Sequence, residues 1–275
     1  MKAGSRVEGR ASGGSKPAVR VVKVGGRAQS DPALAGALAA AWVSMPRSLV
    51  VVHGGGDEVS ALQRAFGVTP SFVGGRRVTS TEDIELLRMA LSGSANKRLV
   101  SALVSRGVSA VGLSGEDAAL LAAAPLDPGA LGCVGDPRRA NVLLLRHLLD
   151  GGYLPVVSPL SRGEGADAAA ALNVNGDDAA AVIAAALEAH ELLLVADVAG
   201  VLIDGCVVPE LAPVGAGQLI ASGGATGGMI AKLEAALAAL EGGVARVRIG
   251  DVAAIHDSTR GTVVSRDAVL SRSVA

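Results

Sequence analysis

Apolar positions along the chain fall into two rhythms. Residues 18–24, 48–52, 110–113, 153–158, 192–196 and 244–249 are mostly apolar on consecutive positions, as in strands buried on both faces. Between them, residues 32–44 and 58–66, a long region from Ser80 to about Arg106 with a break near Gly93, residues 138–150, an alanine-rich stretch from about 176 to 189, and residues 229–241 carry helical spacing. Ser80 with Asp83 has the form of a capping box opening the long region that runs to about Arg106. Strands alternating with helices predict a mostly parallel sheet with right-handed crossovers. Glycine pairs punctuate the pattern: 71–79 reads as a hairpin turning on Gly74-Gly75, and Gly151-Gly152 closes the helix over 138–150. Residues 118–124 with 131–134, and 201–208 with its Asp204-Gly205 turn, read as β-excursions, and 261–264 as a short last strand. Residues 1–17 read as a flexible tail. The composition changes around 159–165, which divides one continuous fold into an N-terminal lobe over 18–158 and a C-terminal lobe over 159–275.

Charge removes whole classes of function. The 275 residues carry a net charge of −1, so nothing marks a nucleic-acid partner, and no apolar run is long enough to span a bilayer. Cys133 and Cys206 lie far apart without CxxC spacing, which fits unpaired thiols in a cytoplasmic protein rather than a disulfide or a metal site. Lysine use is more informative: Lys2, Lys16, Lys23, Lys97 and Lys232 are the only five, against twenty arginines. Where arginine is the default cation, a retained lysine hints at a need for a compact ammonium. Lys97, inside a helical pattern, reads as chance retention, whereas Lys23 and Lys232 stand in glycine motifs.

The chemistry gathers where strands run into glycine. Val50-Val51-Val52-His53-Gly54-Gly55-Gly56 places a glycine turn at a strand's carboxyl end, before a helix whose free N–H groups attract anions. A HGGG run also occurs in hydrolase oxyanion holes, but no GxSxG elbow accompanies it here; Gly112-Leu113-Ser114-Gly115-Glu116 has the wrong spacing. Neither a GxGxxG after the first strand nor a GxxxxGK[ST] loop is present, which removes dinucleotide oxidoreductases and P-loop kinases. Lys23-Val24-Gly25-Gly26 sets an ammonium beside bare amides. Lys232 follows Gly227-Gly228-Met229-Ile230-Ala231 in the first turns of a helix, where a cation opposes the helix dipole and is better explained by a bound anion. Two such lysines suit a transferring phosphoryl group. Asn173-Val174-Asn175-Gly176-Asp177-Asp178 precedes an apolar helix, with Gly176 or Asp177 as the expected cap; capping accounts for one polar residue, not for four. Arg77, beside Arg76 on the hairpin, is either a solvated edge or a planar fork for a substrate carboxylate. Ser114-Gly115-Glu116-Asp117 reads as a turn, and His53, Cys133 and Cys206 as structural.

Taken in order, Lys23-Val24-Gly25-Gly26, His53-Gly54-Gly55-Gly56, Gly75-Arg76-Arg77-Val78-Thr79, Gly112-Leu113-Ser114-Gly115, Asn173-Val174-Asn175-Gly176-Asp177, Asp197-Val198-Ala199-Gly200 and Gly227-Gly228-Met229-Ile230-Ala231-Lys232 resemble the N-acetylglutamate kinases of the amino acid kinase family. The resemblance runs from about residue 18 to 264. It implies an αβα sandwich with an open, mostly parallel central sheet, the N-terminal lobe holding N-acetyl-L-glutamate and the C-terminal lobe ATP with its Mg2+. By that resemblance Lys23, Lys232 and Asp177 are catalytic. Gly54, Gly55, Arg77, Asn173 and Asn175 bind the acyl-amino acid, and Gly25, Gly26, Asp197 and Gly227 the nucleotide phosphates and pocket. No metal is held by the protein itself. Residues 114–119 and Ile249-Gly250-Asp251 are not the commonest family forms and point towards N-succinylglutamate as an alternative acceptor. Kinases of carrier-protein-linked aminoadipate or glutamate carry similar motifs, and a non-catalytic acyl-glutamate or nucleotide sensor is the competing class. A homodimer is expected. The tail, with four glycines, three serines and a proline, does not look like the ring-forming helix of arginine-inhibited members.

Overall fold

A computed structural model describes residues 18–268; the expected tail over 1–17 lies outside the described residues. The first half of the chain forms β1 (Arg20–Val24), α1 (Leu34–Ser44), β2 (Leu49–His53), α2 (Gly56–Ala65), the hairpin β3 (Phe72–Val73) and β4 (Arg76–Arg77), and α3 (Thr81–Leu87). A π-helical stretch, Arg88–Ala95, joins α3 to α4 (Asn96–Val104). There follow β5 (Ala110–Ser114), β6 (Leu121–Pro125), α5 (Pro128–Leu131), β7 (Val134–Ala140), α6 (Val142–Asp150), β8 (Leu154–Ser158), β9 (Leu160–Gly163) and β10 (Ala171–Val174). The rest comprises α7 (Gly176–Ala186), β11 (Glu191–Val195), the hairpin β12 (Leu202–Ile203) and β13 (Cys206–Val207), β14 (Glu210–Leu211), α8 (Pro213–Ala221), α9 (Gly228–Glu241), β15 (Arg246–Gly250) and β16 (Thr262–Val264).

The central sheet has eight strands in the order β14-β16-β15-β11-β1-β2-β8-β5, parallel throughout except between β15 and β16. Alternation splits each strand's apolar residues between two layers. Val21, Val50, Val52, Leu192 and Leu194 face the core beneath α7 and α9, while Val22, Val24, Leu49, Val51, Leu193 and Val195 face the core beneath α1 and α4. Both faces are therefore covered, and the consecutive apolar runs are what a doubly covered parallel sheet requires. A smaller closed sheet, β10-β7-β6-β9, stands beside it, so that β9 and β10 pair with strands that precede residue 159.

The chain leaving the carboxyl end of β1 passes to β2 on one side, whereas the chain leaving its other neighbour, β11, passes to strands on the opposite side, with β15 next to it. In open α/β sheets that arrangement opens a crevice outside the carboxyl ends of the strands. The glycines Gly25, Gly26, Gly54, Gly55 and Gly56 all follow those ends.

Two expectations are corrected. The helix placed at residues 138–150 begins only at Val142, because residues 138–140 continue β7: Arg139 and Ala140 pair with Ala122 and Leu121 of β6, and Arg138 is passed over at an irregularity beside Pro137. A proline lacks the N–H of a ladder and is tolerated at such a bulge. The cap of α7 is Asn175, whose Oδ1 accepts the Asp177 N–H at 2.7 Å, rather than Gly176 or Asp177. The Ser80–Asp83 capping box is present in both directions.

Candidate active site

Strand parity decides where Lys23 goes: two residues on from Val21, it shares that residue's face and meets the first turn of α7. There its Nζ lies 2.8 Å from Asp177 Oδ1, with Lys23 6% and Asp177 4% exposed. Lys232, in the second turn of α9, reaches the same carboxylate from the other side, its Nζ 3.1 Å from Oδ2. Burial pushes the Asp177 carboxyl up, but the two ammonium groups outweigh it and hold the group below the usual carboxylate range. Burial, and then Lys23, push the Lys232 ammonium down. Two buried cations thus share one anion and leave one positive charge over. Such an arrangement is completed by an incoming anion.

Close packing brings the glycines to the same place. A Cβ on Gly176 would come within 3.1 Å of Lys23 Cε, and one on Gly26 within 3.7 Å of Gly56 N and 3.9 Å of Gly55 N. The N–H groups of Gly26, Gly55 and Gly56 have no hydrogen-bond acceptor among the described residues. Gly227, at φ +53°, begins the turn into α9.

Two clefts open on these groups. One, of about 180 Å³, is lined by Gly54 to Gly56, Arg76, Arg77, Asn173 and Asn175 among others. The second, of about 510 Å³, lies between the ends of β1 and β11 and is lined by Lys23, Gly25, Gly26, Ala196, Asp197 and Lys232 among others. Asp197 sits at its rim, its side chain 43% exposed and paired to Arg27 at 2.5 Å. Gly55 lies at the wall of the first cleft and beside Gly26 of the second. Among the described residues no three His, Cys, Asp or Glu side chains converge as a metal site, and no helix is long and apolar enough to cross a membrane.

Residues 18–251 match the amino acid kinase family.

The chain belongs to that family.

An acetylglutamate kinase of Chloroflexus aurantiacus is 44% identical over 241 residues, covering 87% of this chain and 94% of that protein. An acetylglutamate kinase of Cereibacter sphaeroides is 45% identical over 238 residues, covering 85% of this chain and 80% of that protein. Among solved structures, smu.665 from Streptococcus mutans superposes with a TM-score of 0.80 at 30% identity, covering 90% of this chain and 99% of that one.

Within this family member the hairpin arginine is held rather than solvated. Arg77 is 9% exposed; its Nη1 donates to Gln63 Oε1 at 2.5 Å, and its Nη2 to Gly56 O and Ser60 Oγ, both at 2.8 Å. Its guanidinium also lies 4.7 Å from the Phe72 ring centre. Three of five donors are used, which leaves two for a ligand. Gln63 in turn donates to Asp83 Oδ1 at 2.6 Å, so the capping box of α3 anchors the arginine. Sequence reasoning found Arg77 but not Ser60 or Gln63. The available signal was two polar residues one turn apart on the buried face of α2, beside Val59. Asn173 donates to Thr79 Oγ1 at 2.9 Å, tying β10 to the segment after the hairpin.

Proposed function

We propose that the chain transfers the terminal phosphoryl group of ATP to the γ-carboxylate of N-acetyl-L-glutamate, giving N-acetyl-L-glutamyl 5-phosphate and ADP, a step of arginine biosynthesis. The observation that carries this reading is the buried Lys23–Asp177–Lys232 cluster, with Lys23 and Lys232 on the larger cleft, beside glycine N–H groups that have no acceptor among the described residues. The acetylglutamate kinase relatives support the acceptor. In this reading the N-terminal lobe, 18–158, supplies the smaller cleft and the C-terminal lobe, 159–275, most of the larger one, with β9 and β10 crossing back.

The smaller cleft takes the acyl-amino acid. Arg77 offers its two remaining N–H donors to the α-carboxylate, with Asn173 and Asn175 beside it, and Gly54 and Gly55 border the reacting end. The larger cleft takes the nucleotide, with Gly25, Gly26 and Gly227 near its phosphates and Asp197 at the rim. A γ-carboxylate oxygen attacks the terminal phosphorus, a new P–O bond forms, and the bond to the bridging oxygen of ADP breaks. No proton moves, because the acceptor is already an anion. What the protein must supply is alignment and positive charge for the equatorial oxygens. Lys23 and Lys232 supply the charge; Asp177 fixes both ammonium groups. Among the described residues no cluster of carboxylates lines the clefts, and in this reading Mg2+ would come with the nucleotide and neutralise its phosphates.

ADP release in the presence of each acceptor tests this. Turnover is expected with N-acetyl-L-glutamate and MgATP, and not with ATP alone. Turnover only with N-succinylglutamate or a carrier-linked aminoadipate would replace the acceptor. Binding of ATP without turnover on any of them would make the chain a sensor.

A further inference from the structure

The proposed reaction leaves unused a polar chain that runs through the interior of the N-terminal lobe and ends on the glycine turn. Lys97 Nζ donates to Gly112 O and to Asn96 Oδ1, both at 3.1 Å. Asn96, fully buried, directs its Nδ2 to Val156 O at 2.9 Å, to His53 Nε2 at 3.0 Å and, at a longer 3.4 Å, to Leu113 O. The Nδ1 of His53, also fully buried, lies 2.8 Å from Gly54 O. Gln29 Nε2, from the other side, lies 2.7 Å from the same oxygen.

The direction of every bond in this chain is fixed by its ends. An ammonium only donates, so the Asn96 atom facing Lys97 is the oxygen. A backbone carbonyl only accepts, so the atom facing Val156 O is the nitrogen; the two anchors agree. The NH2 group only donates, and Val156 O and His53 Nε2 lie closer to it than Leu113 O, so the facing Nε2 must be the bare nitrogen of the ring. His53 is then the Nδ1–H tautomer and donates to Gly54 O. Burial, which pushes the His53 ring down to about 4, keeps it neutral at physiological pH.

Gly54 is thereby held on both sides. Its N–H donates to Val24 O at 2.9 Å, and its carbonyl receives two side-chain donors. In a trans peptide the C=O and the following N–H point in opposite directions. Fixing the Gly54 carbonyl towards Gln29 and His53 therefore turns the Gly55 N–H away from them, towards the clefts. Gly55 itself sits at φ +152°, a conformation side chains rarely adopt, so its backbone has no strong preference of its own to enforce this aim.

We infer that Lys97, Asn96, His53 and Gln29 are positioning residues for phosphoryl transfer: through the Gly54 carbonyl they aim the Gly55 N–H at the oxygens whose charge grows in the transition state. This rests on the kinase reading, and none of the four touches substrate. A donor aimed at developing charge contributes mainly to kcat, so loosening it lowers kcat with little change in KM.

The test combines tautomer and kinetics. Nitrogen NMR of 15N-histidine-labelled protein is expected to show His53 protonated on Nδ1 at pH 7. Asn96→Asp keeps the shape and the contact with Lys97 but can only accept from His53. It should move the proton to Nε2, turn the bare Nδ1 against Gly54 O, and lower kcat about tenfold or more, with both KM values within about twofold. Gln29→Leu, at the half-buried end of the chain, removes the second donor without disturbing the core and should also lower kcat with KM preserved. An Nε2–H tautomer in the unmodified protein would overturn the inference. So would an unchanged kcat in Gln29→Leu together with either an unchanged kcat or an unchanged tautomer in Asn96→Asp. An Nδ1–H ring in a folded protein that turns over no acceptor counts against the kinase reading, not against the hydrogen-bond chain.

Discussion

Asp177 has two oxygens and two ammonium partners at 2.8 and 3.1 Å, so neither lysine can change its length or shape without disturbing the other. A guanidinium is planar, wider and spreads its charge over three nitrogens. Lys23→Arg and Lys232→Arg are each expected to lower kcat by about 100-fold or more, with a smaller change in the KM for ATP. Steady-state kinetics checks this, and unchanged turnover in both variants would make the lysines bystanders. Arg77 belongs to the ground state instead. In the proposed reading its remaining donors hold the acceptor's carboxylate before and during transfer alike. Arg77→Ala should raise the KM for the acyl-amino acid about tenfold or more while kcat moves less, as expected when uniform binding is lost. A loss confined to kcat would place the guanidinium at the phosphoryl group.

Helix α2 and the capped start of α3 act together on that arginine. Ser60 and Gln63 lie on the buried face of α2, and Asp83, whose other oxygen completes the capping box, holds Gln63. Gln63→Met keeps the volume and removes both polar contacts. The expected outcome is a severalfold rise in the KM for the acyl-amino acid with the KM for ATP unchanged; equal effects on both would show a general loosening of the fold. The same elements show what a sequence discloses. β1, β2 and β11 were readable because a strand covered on both faces is apolar at nearly every position. β7 was not, since Gly135, Asp136, Pro137, Arg138 and Arg139 give neither rhythm and depend on the bulge that β6 accommodates. Motifs pointed to most of the candidate site because glycine turns and the lysines beside them are local features of the chain, and the structure brings Lys23, Lys232 and Asp177 together. His53 reads as structural and Lys97 as chance retention because their contacts depend on partners brought from afar: Asn96 lies 43 residues beyond His53, and Gly112 15 beyond Lys97.

Across the molecule, one sheet underlies both clefts, with β1 carrying Lys23 to Asp177 at its carboxyl end. We expect a homodimer without feedback by arginine, on the family resemblance and the glycine- and serine-rich residues 1–17. Light scattering together with an inhibition curve checks it; a hexamer whose activity falls at modest arginine would contradict it. The central claim is that phosphate becomes attached to a carboxylate, and an acyl phosphate can be caught directly. With N-acetyl-L-glutamate, MgATP and hydroxylamine, the protein should form the γ-hydroxamate of N-acetylglutamate in step with ADP, and Asp177→Ala should not. Absence of hydroxamate from a folded, ATP-binding protein supplied with the acetyl, succinyl and aminoadipate acceptors would contradict phosphoryl transfer to a carboxylate at this site.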